Sequence, residues 1–531
     1  MAELVDALDS KSSSGNRVWV RAPPWVLNFK LLMKEKSKLF VFYKRSFWLI
    51  SIVFFLSLYP NVRNKFKTSD KLNHIEELYE LVLQNYQNSL PEDSLIFFLR
   101  EGLLENLDPF TQYISKEELK RINEDFSGDF YGIGVQFTII RDTVMVVKVI
   151  KDGPSEKANI IPGDRIISVN SENFTGPEIN NSVVMKKLRG KRGQKVKISI
   201  LRKDNVLEKI LYRGEIPLNS IESNYMIKDD IGYIKLEKFS STTFYEFKNA
   251  IRDLKRIGAK KLILDLRNNG GGYLQQAVDV TNEFLDDNLE IVSTKGDFRK
   301  QKTYFSSHKG SFKKGELVVL INENSASASE ILAGAIQDHD RGIIVGKKSF
   351  GKGLVGEQIN LRDGGALRIT VAKYFTPSGR CIQKPYNSFD TLNDVKEFRT
   401  KKGRIVFSDG GITPDILILE DTISDFESKF WSRNYNILYE KAFDFADKYR
   451  SDLLNNYQSF FRKNNENIWT EIISLVDDIE TKRKINNYKK NLQTLFENMV
   501  LNQILSTEDI IYHYNKDDEY INKALEIISK S

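Results

Sequence analysis

Two short segments carry residue types that could do nucleophilic chemistry. The first is NENSASASEILAGAIQ, residues 322–337, where small residues lead from a strand-like run into a helix-like one. Ser327 stands at that junction. A serine in the first turn of a helix lies among free N–H groups, at the positive end of the helix dipole, where an oxyanion from acyl transfer is stabilised. Glu330, three residues on, also satisfies a capping box with Ser327, which is the purely structural reading. The second segment is KKSFGKGLVGEQ, residues 347–358, with Lys352 between Gly351 and Gly353 in a turn before a strand. A lysine becomes a general base only if its pKa, about 10.4 in water, falls toward neutrality, and burial provides that shift by disfavouring the ammonium. Alone, a lysine between glycines reads as a solvated turn.

Other chemistries find less to draw on. The four histidines are His74, His308, His339 and His513. His339 lies on the same expected helix as Ser327, about 18 Å away at 1.5 Å per residue, and His308 has no supporting motif. With no HExxH and one cysteine, Cys381, neither a zinc site nor an intramolecular disulfide is expected. The net charge is +7, part of it at Lys30, Lys34, Lys36, Lys38, Lys44 and Arg45, and no other basic run is interleaved with aromatics, so nucleic-acid binding has no support. Apolar residues at 41% and charged residues at 28% suit a globular protein rather than a multi-span membrane protein or a disordered one.

The elements that must position the serine and the lysine lie in residues 214–420. Strands are expected at 231–236, 260–266, 316–322 and 342–346, with helices at 244–258 and 326–340 between them. The alternation predicts a sheet covered by helices, so the fold class is α/β, multi-domain. Residues 61–127 read as a helical N-terminal domain, with LDPFTQYIS (107–115) a Pro-broken loop. Residues 421–531 are helical, charged and without a motif.

Residues 128–213 change to β-type runs with Gly and Pro turns. YGIGV (131–135) supplies glycines for a tight turn whose N–H groups converge on one spot, a nest for a carboxylate beside a strand edge that can pair with an extended peptide. The segment resembles a PDZ domain: YGIGV matches its carboxylate-binding loop, and GPSEKANIIPGDRIISVN (153–170) the following helix, turn and strand. The resemblance implies capture of a protein's free carboxy terminus by Tyr131, Gly132, Ile133, Gly134 and Val135, with Ile133 and Val135 framing an apolar pocket.

Together with DLRNNGGG (265–272), the serine and lysine segments resemble the carboxy-terminal processing, or tail-specific, proteases. RITVAKYFTPSGRCIQKPY (368–386) and GGITPDI (410–416) add to the likeness, which spans roughly residues 70–420. It implies a Ser–Lys dyad of Ser327 and Lys352, with the N–H groups of Gly271 and Ala328 holding the oxyanion. Nothing in this chemistry requires a metal, nucleotide or organic cofactor. The chain departs from the family in one place: the glutamine usual four residues after the lysine is Gly356 here. Gln358, two residues on, shares its strand face and is the candidate replacement.

At the amino terminus, residues 46–59 are an uncharged apolar run behind Lys44 and Arg45, with no small-x-small cleavage site after it. Residues 33–60 therefore read as a basic n-region and an uncleaved signal anchor, with the catalytic part on the periplasmic side of the inner membrane. Residues 1–32 resemble the translation of an upstream transfer-RNA gene, so Met33 is the expected start. The expected substrates are proteins or peptides with apolar carboxy-terminal tails, in envelope processing or quality control by analogy with related enzymes. The helical segments 70–125 and 421–531 are candidates for a homodimer interface. Two rival functions are a peptide-binding scaffold with a weakened protease and a hydrolase of small esters; the latter lacks a GxSxG elbow and leaves the PDZ-like segment unexplained.

Overall fold

A strand apolar at every position needs cover on both faces. In the computed structural model, which describes residues 70–88, 90–386, 395–419, 424–476 and 479–530, the all-buried strand Ile231–Leu236 lies in such a sheet. Its six strands run in the order Ile221–Lys228, Ile231–Leu236, Lys261–Asp265, Leu317–Ile321, Ile343–Gly346 and Ile416–Leu417, parallel except for the first pair. Helices Thr243–Arg256, Leu274–Asn282 and Ala328–Asp338 cover one face. The last helix, Glu519–Lys530, covers the other, burying Tyr520, Ile521, Ala524 and Ile528 against Ile263, Val318 and Leu320.

A second, antiparallel sheet is built on the long strand Ala366–Phe375. It pairs with Gln112–Ile114, with Leu354–Asn360 and with Glu290–Gly296, which in turn pairs with Arg299–Phe305. The segment 107–115, expected to be a loop, thus ends in a short edge strand. Three paired residues are too few to leave a period-2 signature in the sequence.

Residues 129–217 form a separate β module on a two-stranded stalk. The incoming strand Asp129–Gly132 pairs with the outgoing Gly214–Pro217. Beyond it, a sheet in the order Val135–Ile140, Thr143–Val149, Arg165–Val169, Lys195–Arg202, Asn205–Tyr212 closes over helix Asn181–Leu188 around its own core. Helices Asp425–Lys448, Arg450–Ile473, Ile479–Asn486, Lys489–Asn502 and Thr507–Tyr514 hold another core. The first of these docks on the β module: Phe443, 1% exposed, packs against Ile140 and Met145, and Arg141 pairs with Asp444 at 2.7 Å and Glu440 at 3.4 Å.

These elements belong to one compact unit that begins at Gly102; the described residues 70–101 fall in another. In the latter, Tyr79 at one helix, Asp70–Asn85, donates to Glu92 at 3.0 Å, and Leu72, Ile75 and Leu78 are exposed. The expected anchor at 33–60 falls outside the described residues. Among the described residues no helix is long and apolar enough to cross a membrane.

The exposed ion pairs at Arg141 contribute little, so docking rests on the buried ring. Phe443→Ala is expected to cost roughly 3 kcal/mol in urea unfolding and to open the chain between 129 and 217 to limited proteolysis. Unchanged protection of that module would show that Phe443 does not hold it.

Candidate functional site

Two adjacent parallel strands, Leu317–Ile321 and Ile343–Gly346, end side by side, with Ile321 opposite Gly346. The chain leaving the first turns through Ser325 and Ala326 into helix Ala328–Asp338; the chain leaving the second runs to Lys352. The SASAS pattern has a division of labour. Ser325 Oγ donates to the Leu266 carbonyl at 2.8 Å and Ser329 Oγ to the Asn269 carbonyl at 2.9 Å. The outer serines thus pin the turn to the DLRNN segment, and the middle one, Ser327, is half-buried at the helix start. Its φ of 55° and ψ of −110° are a strained conformation for a residue with a Cβ.

Gly271, with φ of 99°, lies against this turn: a Cβ there would sit 2.9 Å from both Ser327 Cβ and Ala328 N. The expected oxyanion pair is therefore adjacent, but its two members differ. The Ala328 N–H has no hydrogen-bond partner among the described residues, whereas the Gly271 N–H donates to Asn269 Oδ1 at 2.9 Å. In this conformation the Gly271 N–H is an engaged donor.

Glu330 joins the serine to the lysine. Its carboxylate is buried and accepts four hydrogen bonds: Oε2 from the N–H of Ser327 at 2.7 Å and of Lys352 at 2.9 Å, Oε1 from the Gly351 N–H at 2.8 Å and Ser349 Oγ at 2.6 Å. Burial pushes its pKa up and these hydrogen bonds pull it back, with burial ahead. Tyr374, 1% exposed on the long strand, grips the same two residues from the carbonyl side. Its hydroxyl contacts the Lys352 carbonyl and lies 3.2 Å from that of Ser327. One carboxylate oxygen and one hydroxyl thus each lie within hydrogen-bond reach of both backbones.

The Lys352 side chain is half-buried, its Nζ 4.4 Å from the centroid of the Phe110 ring. Burial lowers its pKa below the ordinary lysine value; the Arg368 guanidinium lowers it further, while Asp108 and Glu330 oppose the shift. Phe110 is placed by Asp108, which accepts from Thr111 Oγ1 at 2.7 Å and Thr370 Oγ1 at 3.0 Å and so ties the loop to the long strand. Gln358 does share the Gly356 face, opposite Arg368, but it is exposed and makes no hydrogen bond to Lys352 among the described residues. Phe110, Tyr374 and Arg368 were not singled out from sequence. The last two lie within RITVAKYFTPSGRCIQKPY, which drew notice only for its likeness to the family. His339 caps the far end of the Ser327 helix, with Nε2 2.6 Å from the Glu290 carbonyl.

In the β module, Gly134 takes a φ of 77° and the N–H groups of Ile133 and Gly134 have no partner among the described residues. Val135 begins a strand paired on one side only. Tyr131 lies in the stalk opposite Glu215, and its carbonyl accepts from the Gly190 N–H at 3.1 Å. Gly132 is roofed by the Phe130 ring, over which Arg189 sits at 3.9 Å while pairing with Glu124 at 2.8 Å. Ile133, expected with Val135 to frame an apolar pocket, is 2% exposed and belongs to the module's core, with Val135 packed against that core.

The strain at Ser327 is testable without any activity. Ser327→Gly is expected to be more stable than Ser327→Ala by about 1 kcal/mol in chemical denaturation, because glycine tolerates φ of 55° at no steric cost. Equal stabilities would mean the turn relaxes.

Comparison with known proteins follows the same lines. The Peptidase family S41 pattern matches residues 230–391 and the PDZ domain pattern residues 132–209. A "Probable CtpA-like serine protease" of Staphylococcus aureus is 33% identical over 365 residues, covering 66% of this chain and 73% of that protein. A carboxy-terminal-processing protease of Bartonella bacilliformis is 37% identical over 327 residues, covering 60% and 74%. Among solved structures, the photosystem II D1 C-terminal processing protease matches at 26% identity and a TM-score of 0.36, covering 64% of this chain and 85% of that one. With this identity over most of the relatives' length, the chain belongs to the carboxy-terminal-processing serine peptidases of family S41 and carries their PDZ domain.

Proposed function

We propose that this peptidase cuts proteins delivered by their carboxy-terminal tails, with Ser327 as nucleophile and Lys352 as general base. The observation that carries the reading is the shared hold of Glu330 and Tyr374 on both backbones, beside a lysine whose pKa is depressed. Uncharged Lys352 takes the proton of Ser327 as Oγ attacks the scissile carbonyl. The Ala328 N–H receives the oxyanion; Gly271 joins it once its N–H exchanges Asn269 for the substrate oxygen. Collapse expels the amine, which takes the proton back from Lys352, and a water deprotonated by Lys352 then releases the acyl group from Ser327. The tail is taken by the 131–135 loop: its unpartnered N–H groups suit a carboxylate, and the free edge at Val135–Ile140 suits an extended peptide.

Activity of the full chain on an unfolded protein is expected to vanish in both Ser327→Ala and Lys352→Ala. In the wild type it should rise with pH through a limb lying below the normal lysine value, since only the uncharged amine is competent. Tyr374→Phe keeps the ring but frees the carbonyls, and is expected to lower kcat about ten- to a hundredfold with KM unchanged. An inactive wild type that still binds apolar carboxy-terminal peptides would favour the scaffold function instead.

The apolar run at 46–59 behind Lys44 and Arg45 supports anchoring at the inner membrane, with the peptidase in the envelope. The whole chain is expected to sediment with membranes through a high-salt wash, and a chain beginning at 61 to stay in the supernatant. Release of the whole chain by salt would exclude an anchor. The exposed apolar side chains of helix Asp70–Asn85 offer a surface for a homodimer.

A further inference from the structure

Phe110 belongs to none of the hydrophobic clusters formed by the described residues, so core packing gives no reason for its place. Its turn is nonetheless closely held. Asp108 opens the turn, Pro109 takes the second position, and the Thr111 N–H closes it on the Asp108 carbonyl at 3.2 Å. The Asp108 carboxylate accepts the N–H groups of Phe110 at 2.9 Å and Thr111 at 3.1 Å, besides the hydroxyls of Thr111 and Thr370. Thr111 Oγ1 in turn accepts the Thr370 N–H at 3.1 Å, which ties the turn to the long strand a second time. A half-buried ring held this firmly, with no core to join, points to a contact of its own. That contact is Lys352. Its Nζ lies 4.4 Å from the ring centroid, and the amine makes no hydrogen bond or ion pair among the described residues.

We propose that the face of Phe110 is the uncharged counter-group of Lys352, holding the ammonium that forms when the Oγ–H bond of Ser327 breaks and its proton passes to Nζ. This rests on the reading of Lys352 as general base. The proton later leaves Nζ for the departing amine, and the ring is left with the neutral lysine again. A carboxylate in the ring's place would hold the lysine charged before attack, and an aliphatic side chain would exclude water without favouring the charge. A ring face does both. Its quadrupole attracts a cation, and its surface offers no donor to occupy the lone pair of the neutral amine. Three charged groups also act on the lysine: Asp108 from the turn itself, Glu330 from helix Ala328–Asp338 and Arg368 from the long strand. None of them changes when only the electron density of the ring is altered, so the share of the ring can be measured apart from theirs.

The test is a series of full-length enzymes carrying phenylalanine with one, two or three ring fluorines at position 110. Fluorine withdraws electron density from the ring face at nearly constant shape, so folding and burial are kept. One readout is the pH dependence of kcat/KM for peptide cleavage. The other is the rate at which a fluorophosphonate labels Ser327, a probe that bypasses peptide binding. The acid limb is expected to move down stepwise with fluorine number, by about half to one pH unit at three fluorines, in both readouts. The rate above the limb should fall about three- to tenfold, because a lysine that holds the proton less well also removes it less well. A limb unmoved across the fluorinated series overturns the proposal. Phe110→Leu identifies the alternative: if the ring is only a cover against water, leucine raises the limb while the fluorinated rings leave it in place. Lys352→Ala separates the two levels. If it is silent while the fluorinated enzymes keep the wild-type limb, only this inference fails; if it cuts and labels with the wild-type profile, the general-base reading fails first.

Discussion

A buried carboxylate that accepts four hydrogen bonds fixes the geometry on which the rest of this site depends. Glu330 reaches from the first turn of helix Ala328–Asp338 to the segment following the neighbouring strand, and takes donors from Ser327, Ser349, Gly351 and Lys352. A charge without water is tolerable only when its lone pairs are filled, and here each oxygen receives two donors. Glutamine would not serve: its amide nitrogen would face N–H groups, leaving donors against donors. The arrangement also explains why serine and lysine lie on consecutive parallel strands of the core sheet. Chains leaving the carboxyl ends of adjacent strands emerge close together, and one side chain can span them.

The second sheet complements this hold from the opposite side. Tyr374 approaches the carbonyls of the residues whose N–H groups Glu330 receives, so Ser327 and Lys352 are each held at N–H and at C=O, through both flanking peptide groups. The same strand carries Thr370, which holds Asp108 and hence the loop bearing Phe110, and Arg368, which lies over Gly356. One strand therefore supplies both the clamp and the anchor of the loop that carries Phe110.

This division sets what could be read from sequence. The core strands were legible because a strand buried on both faces is a continuous apolar run, as at 231–236. Ser327 and Lys352 stood out as candidates because short, local chemistry surrounds each: small residues into a helix start, and a lysine between glycines. Phe110 and Tyr374 did not, since Phe110 meets Lys352 across more than two hundred residues, Tyr374 reaches back to Ser327 and Lys352 from another sheet, and their own neighbourhoods show only a Pro-broken run and a strand. Period-2 reasoning put Gln358 on the correct face of its strand, yet the space beside Gly356 went to Arg368, a cross-strand neighbour whose register sequence alone does not reveal. Gly271 was located correctly against Ser327, but the Asn269 side chain that holds its N–H is a conformational detail. The C-terminal segment read only as charged helix, whereas its last helix closes the open face of the core sheet and its first braces the PDZ domain.

The surroundings of Lys352 combine opposing influences, and their relative size bears on catalysis. A cation over the face of Phe110 gains on the order of 0.5–2 kcal/mol, and the nearby carboxylates of Asp108 and Glu330 also favour the charged amine. Burial and Arg368 favour the neutral one, and the net direction is toward neutrality. Each pKa unit is worth about 1.4 kcal/mol, so contributions of this size balance to within a few units. Such a balance suits a group that must be uncharged before attack and charged after it. Before attack, desolvation keeps the lone pair available. In the proposed mechanism the proton of Ser327 arrives at an amine that already lies 4.4 Å from the centre of the Phe110 ring, with Asp108 and Glu330 favouring the charged form. A pocket that only desolvated the lysine would provide a base but penalise the intermediate it creates; one that only attracted the ammonium would hold it protonated from the start.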